Sequence, residues 1–225
     1  MTYDVLGTAV TLPVRVRDAS AATVFYDVAA DAARRLAPPG FAVTETAPGR
    51  TQFVLALIDY RDNDLGDYRE IGTILFVRPE NGGPDGTFIT HLPVDREFTC
   101  VAGNRIWGYP KTVERIDVEQ TPTTSRWTLT MDGVRALDIA VPRGGDGELP
   151  PTPMASYTLR DGRPHATSFT QGGTGVGFGD GSGVALSLGD HPLAAELASL
   201  GLPKRPASTM WIENMRGSFE EPRPL

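Results

Sequence analysis

Cysteine occurs once in the 225 residues, at Cys100, so the chain can form neither an intramolecular disulfide nor a cysteine-rich zinc site. A reducing cytoplasm is the expected compartment. Basic charge is in deficit: 21 Lys and Arg stand against 28 Asp and Glu, a formal net charge of −7. A general nucleic-acid or anionic-membrane binder needs a basic face to neutralise phosphates, so those partners are not expected. Histidine occurs at His91, His165 and His191 only, without paired or H-E-x-x-H spacing, and no metal site is expected. No apolar run approaches the roughly 20 residues of a membrane span, and "MTYDVLGTAVTLPVRVRD" has no basic segment leading into a long apolar one. Neither a membrane-embedded nor a secreted protein is expected. Serine catalysis lacks its G-x-S-x-G elbow. The glycine-rich "QGGTGVGFGDGSG" at 171–183 contains neither G-x-G-x-x-G nor G-x-x-x-x-G-K-[ST], and no helical run follows it. It reads as a mobile loop between strands, long enough to act as a lid, and no cofactor is expected.

What is present is 40% hydrophobic and 22% charged, a balance that predicts a folded chain with one domain over residues 1–225. Most of it reads as strand. "TQFVLALIDY", "IGTILFV", "TFITHL" and "VERIDVE" are β-branched or alternating runs bounded by Gly, Pro, Asn and Asp. Asp132-Gly133 and Asp161-Gly162 supply tight hairpin turns. Two helices are predicted. In the run 18–40, Val24, Val28, Ala32 and Leu36 recur every four residues, with Asp18 or Ser20 to cap the start and Pro38-Pro39-Gly40 to stop it. In "DHPLAAELASLGLP", Asp190 is the candidate N-cap, Pro192 lies in the first turn, Leu193 and Leu197 share a face, and Gly201 ends it. The fold class is therefore α+β and mainly antiparallel β: a curled or closed, barrel-like sheet with a few packed helices.

One stretch carries chemistry. In "GNRIWGYPKTVERI" a lysine, scarce in this chain, follows Trp107, Gly108, Tyr109 and Pro110. Alone, Lys111 reads as a side chain whose stem lies along the aromatics while its ammonium reaches water. Its surroundings change that reading. "WGYPKT" resembles the segment of the acetoacetate decarboxylase family in which a lysine after Tyr-Pro forms a Schiff base with a keto acid. "DLGDYREIGTILFV" is similar to the family segment that carries a glutamate after an aromatic, here Tyr68-Arg69-Glu70, and "DHPLAAELASLGLPKRPASTMWIENMRGSFEEP" resembles the closing helix and strand.

The resemblance implies a barrel-like enzyme, without a cofactor, that takes a small keto acid as partner and assembles as a homo-oligomer. It implies Lys111 as the imine-forming residue and Glu70 as the group that positions a polar atom or moves a proton. Tyr68, Trp107, Tyr109, Thr112 and Arg105 are candidate substrate-binding residues. Only a neutral amine attacks a ketone, and burial among Trp107 and Tyr109 is expected to lower the Lys111 pKa. Three departures stand out. Thr112 replaces the family's second lysine, "VLGTAVTLPV" lacks the arginine that would hold a carboxylate, and Asn104-Arg105 stands where the family has Arg-Glu. Arg15, Arg17 and Arg105 are candidate replacements, each also readable as a surface charge. Three functions stay open: aldol, dehydratase or cyclase chemistry on an α-keto acid, plain β-keto acid decarboxylation, and a non-catalytic barrel that binds a small molecule.

Overall fold

The computed structural model describes residues 1–225. A short hairpin of β1 (Thr2–Val5) and β2 (Thr8–Thr11) leads into the long strand β3 (Val14–Ala29), one turn of helix α1 (Ala30–Arg34) and β4 (Phe41–Val43). Then come β5 (Arg50–Asn63), β6 (Tyr68–Pro79), β7 (Gly86–Val94), α2 (Glu97–Ala102), a π-helical turn (Gly103–Trp107) and β8 (Lys111–Val113). The rest is β9 (Arg115–Gln120), β10 (Thr124–Met131), β11 (Val134–Pro142), β12 (Gly147–Arg160), β13 (Arg163–Gly179), β14 (Ala185–Leu188), α3 (Pro192–Ser199), β15 (Ser208–Phe219) and β16 (Arg223–Pro224).

The large sheet runs β4-β6-β5-β3-β15-β13-β12-β7-β8, and β6 also pairs with β7, which closes the seven strands from β6 round to β7 into a barrel. Pairing is antiparallel except where β7 meets β12 and β8. Closure leaves no free edge around the ring. A second, four-stranded sheet, β14-β11-β10-β9, lies against the outside of the barrel together with α3.

Period-two alternation decides which side chains go where. On β3, β5 and β6 one set of residues, including Val24, Tyr26, Leu55, Leu57, Ile71 and Leu75, faces outward and packs against Trp127, Leu137 and Ile139 of the small sheet and Leu193 and Leu197 of α3. The alternate set, including Thr23, Ala56, Glu70 and Gly72, faces the barrel interior. A second buried cluster, around Tyr60, Tyr68, Leu92, Ile106, Trp107 and Tyr109, occupies one end of that interior.

The predicted strands and both Asp-Gly hairpins are present: Asp132 and Gly133 have φ of 51° and 75°, Asp161 and Gly162 of 50° and 73°, as a two-residue turn matched to strand twist requires. Two expectations fail and a third shifts by one residue. The run 18–40 is strand β3 up to Ala29, and only Ala30–Arg34 is helical. A spacing of four is also twice the strand period, so Val24 and Val28 satisfy both, and Tyr26 buried between them settles the period as two. The glycine-rich stretch is not a mobile loop. Residues up to Gly179 belong to β13, paired with β15, and a side chain at Gly173 or Gly177 would collide with the backbone of Asn214 or Gly144. These glycines admit close backbone approach. In the last helix the N-cap is His191, whose ring nitrogen accepts from Leu193 N–H at 3.1 Å, one residue later than expected.

Trp127 is wholly buried between small sheet and barrel, its ring N–H on Ser125 Oγ at 2.8 Å. Trp127→Ala is expected to remove about 3–5 kcal/mol of stability in a denaturant titration. A loss under about 1 kcal/mol would show that the small sheet contributes little to the core.

Candidate active site

Lys111 opens β8, whose backbone lies alongside Leu92 of β7. The chain reaches it through α2 and the π-helical turn, a wide-turn geometry that recurs at functional sites, and leaves that turn at Gly108 with φ 73°, a conformation that favours glycine. Asn104 then fixes the lysine backbone from both sides. Its Oδ1 accepts from Lys111 N–H at 2.9 Å and its Nδ2 donates to Lys111 C=O at 3.0 Å. Gly103 leaves room for the stem, since a Cβ there would sit 2.5 Å from Lys111 Cδ and 2.8 Å from Cε. The stretch 103–116 thus has a division of labour: glycines for space and turning, asparagine for the clamp, aromatics for the wall.

The ammonium is only 7% exposed as a residue, Glu70 6%. Lys111 Nζ lies 2.8 Å from Glu70 Oε2, donates to Thr99 Oγ1 at 3.0 Å, and stands 3.5 Å from the Tyr68 hydroxyl, 4.7 Å above that ring's centre. Tyr60 stacks on Tyr68 with centroids 4.3 Å apart and donates its hydroxyl to Glu70 Oε1 at 3.4 Å. Trp107 is pinned by its ring N–H to Glu220 C=O at 2.9 Å, and Thr158 Oγ1 donates to Trp107 C=O at 2.7 Å.

Burial pushes the Lys111 pKa down, as the sequence suggested, but the Glu70 carboxylate, helped by Tyr68, outweighs it and holds the ammonium above its ordinary value. That corrects the expectation of a lowered pKa: the lysine is buried beside an acid, and the acid wins. Burial raises Tyr68 and carries Tyr109 up to about 12, so both phenols stay protonated and can only donate or accept hydrogen bonds at neutral pH.

The pair sits in a cavity of about 210 Å³ inside the barrel, lined by 28 residues of which 20 are hydrophobic. Five of the residues picked out in the sequence, Lys111, Glu70, Tyr68, Trp107 and Tyr109, line it together. Two do not. Thr112 is exposed, because adjacent strand residues point to opposite sides and Lys111 takes the inward one. Arg105 is exposed on the π-helical turn, 4.0 Å from Asp4. Arg15 is exposed, and Arg17 is held outside by Asp62 and Asp64. No arginine lines the cavity. The sequence reading missed Tyr60, Thr99, Gly103 and Asn104. Asn104 was visible only as a departure from the family pattern, and nothing local marks Thr99 or Tyr60.

The chain belongs to the acetoacetate decarboxylase family, whose model matches residues 5–216, and is an enzyme of that type. Among solved structures it is similar to the acetoacetate decarboxylase of Legionella pneumophila at 17% identity, with a TM-score of 0.72 over 95% of this chain and 87% of that one. It is also similar to the enduracididine biosynthesis enzyme MppR complexed with pyruvate, at 21% identity and TM-score 0.66 over 96% and 91% of the two chains. An acetoacetate decarboxylase-like enzyme from Sphingomonas wittichii RW1 matches at 17% identity and TM-score 0.62 over 98% and 96%. At these identities the likeness is one of fold. No curated protein matches the chain in sequence.

Gly103→Ala tests the site's geometry directly. Displacing the lysine stem is expected to slow capture of a carbonyl compound by borohydride at Lys111 by about 10²-fold, with the circular dichroism spectrum unchanged. Capture at the wild-type rate would show that the stem does not need the space.

Proposed function

We propose that the protein is a Schiff-base-forming lyase that converts a small keto acid through an imine on Lys111. The observation that carries this reading is the 2.8 Å contact between Lys111 Nζ and Glu70 Oε2, both buried, in a largely apolar cavity. An ammonium cannot attack a carbonyl, but here the proton has a nearby acceptor, and in a low-dielectric site a neutral amine beside a neutral acid is a reachable state once a carbonyl compound replaces water. The amine adds to the carbonyl carbon, Glu70 returns its proton to the resulting hydroxyl, and water leaves. Ammonium plus ketone gives iminium plus water, with Glu70 again a carboxylate opposite the cation. The iminium then draws electrons from the neighbouring bond to form an enamine, and Glu70 moves the proton that this requires.

Two lines favour enamine chemistry on an α-keto acid over plain decarboxylation. No arginine lines the cavity to hold a β-keto acid carboxylate, and the structurally similar MppR is complexed with pyruvate. A substrate carboxylate next to the carbonyl would meet the neutral donors Tyr68, Tyr109 and Ser156, which all line the cavity. Against a non-catalytic barrel stands the pair itself. Desolvating two ions costs several kcal/mol each, and a site that merely binds an apolar molecule has no use for them. A single catalytic domain acting in the cytoplasm as a homo-oligomer is part of the same proposal; no helix is long and apolar enough to cross a membrane.

Incubation with pyruvate or acetoacetate and borohydride is expected to add the reduced keto acid to Lys111 and not to Lys204, by intact mass and peptide mapping, and Lys111→Arg is expected to add nothing. An adduct on Lys204, or none with any keto acid, overturns the mechanism. Glu70→Gln separates the two roles. Exchange of solvent deuterium into the methyl group of pyruvate is expected to fall by about 10²-fold while capture persists. With the carboxylate gone, burial is opposed by Tyr68 alone and the Lys111 pKa falls, so the rise of capture with pH moves to lower pH. An unmoved profile and unchanged exchange would return Glu70 to a structural role.

A further inference from the structure

We infer that the preferred substrate carries an uncharged apolar chain beyond its carbonyl, laid along the barrel interior from Lys111 toward Phe76. This deepens, and rests on, the imine reading above.

The interior can be read level by level. On β6 the inward residues are Glu70, Gly72, Ile74 and Phe76, six steps along the strand from first to last, or roughly 20 Å at strand rise. Next to the ion pair the wall is thin: Thr23, Ala56 and Gly72 lie side by side on three hydrogen-bonded strands. Beyond them come Phe25, Val54, Ile74 and Ile89, again in register, and then Phe76 paired with Thr87. A passage of small residues therefore leads from the reactive nitrogen into an apolar compartment.

The compartment is unfilled. On the outer face of β6, Ile71, Leu75 and Val77 are wholly buried, whereas inward-facing Ile74, Phe76, Ile89 and Phe25 all remain partly accessible. The chain has packed one side of these strands to completion and left the other as apolar surface facing a hole, which is favourable only when something apolar enters.

Charge points the same way. Glu70 and Lys111 are the only charged residues that line the cavity, and they neutralise each other. The iminium keeps that balance. A second anionic group farther up would have no cation to meet and would lose its hydration, whereas each methylene moved out of water gains about a fourfold factor in affinity.

The test has two arms. The first needs no imine: a series of straight-chain secondary alcohols, which cannot react with an amine, is titrated calorimetrically into the protein. Affinity should rise about fourfold per added methylene until the chain reaches the Phe76 end, then level off. A flat series overturns the inference whatever Lys111 does. In the second arm, borohydride capture on Lys111 is compared for α-keto acids of equal length that end in a methyl or in a carboxylate. Methyl-ended compounds should be captured at least about tenfold better, an advantage that Ile74→Asp should erase as a ratio within that variant. Equal capture, or preference for the dicarboxylate, overturns the inference and leaves the imine intact. A rising alcohol series with no capture of any keto acid, pyruvate included, supports the apolar chain and overturns the imine reading alone.

Discussion

A lysine and a glutamate share one buried position in this molecule, and neither is stable there without the other. Burial alone would push Lys111 toward giving up its proton, and without the lysine the Glu70 carboxylate would have no counter-ion beside it. Together, at 2.8 Å, they hold charges that the surrounding wall cannot otherwise support, with Thr99, Tyr68 and Tyr60 occupying further hydrogen-bonding positions. The same contact that holds the ammonium above its ordinary pKa would, on the proposed imine reading, supply the acceptor for its proton when a carbonyl arrives. On that reading, basicity in the resting site and reactivity in the loaded one are two states of one proton between two atoms.

Barrel closure is what brings the two side chains together. Glu70 lies across from Val94 on one side of β7, and Lys111 lies across from Leu92 on the other. β7 is therefore a spacer between the strand that carries the acid and the strand that carries the amine. Had β6 and β7 not paired, the sheet would remain an open ribbon and Glu70 would face solvent. Local devices then trim the position: the Asn104 clamp acts on the backbone, the missing Cβ of Gly103 on the stem. Long-range pairing sets the approach to within a side chain's reach, and local chemistry sets the remainder.

How much of this could be read from the residues depends on the range of the physics. Asp-Gly turns, alternating strands and the final helix are fixed within about ten residues, and they were legible. Lys111 and Glu70 were legible only through resemblance of their flanking segments, because nothing within one strand says that it will meet another. Burial was predicted correctly for the lysine, but its consequence was not, since the sign of the pKa shift depended on a partner brought in by the barrel. The strand at 14–29 was misread for a different reason: a spacing of four is compatible with both periods, and the alanines of the run 18–40 favour helix strongly enough to mask the β-branched and aromatic signal of Thr23, Val24, Phe25, Tyr26 and Val28. Thr112 and Arg105 do not line the cavity because proximity in sequence to Lys111 says nothing about facing the same way; one strand residue further on is the opposite face.

The two faces of β3, β5 and β6 explain how a barrel with a partly empty interior can stand. Ordinarily the inside of a small barrel is its core. Here the larger cluster lies outside it, where the strands meet the four-stranded sheet and α3, so most of the apolar burial that opposes chain entropy is found away from the cavity. Side chains on the inner face are then free of the requirement to fill space and can be small, as at Ala56 and Gly72, or partly accessible, as at Ile74 and Phe76. A change on the inner face alters the shape of the cavity more than the stability of the fold, whereas a change on the outer face does the reverse. Alternation along a strand, the simplest periodicity in the sequence, is what separates the residues that hold the protein together from those that decide what it admits.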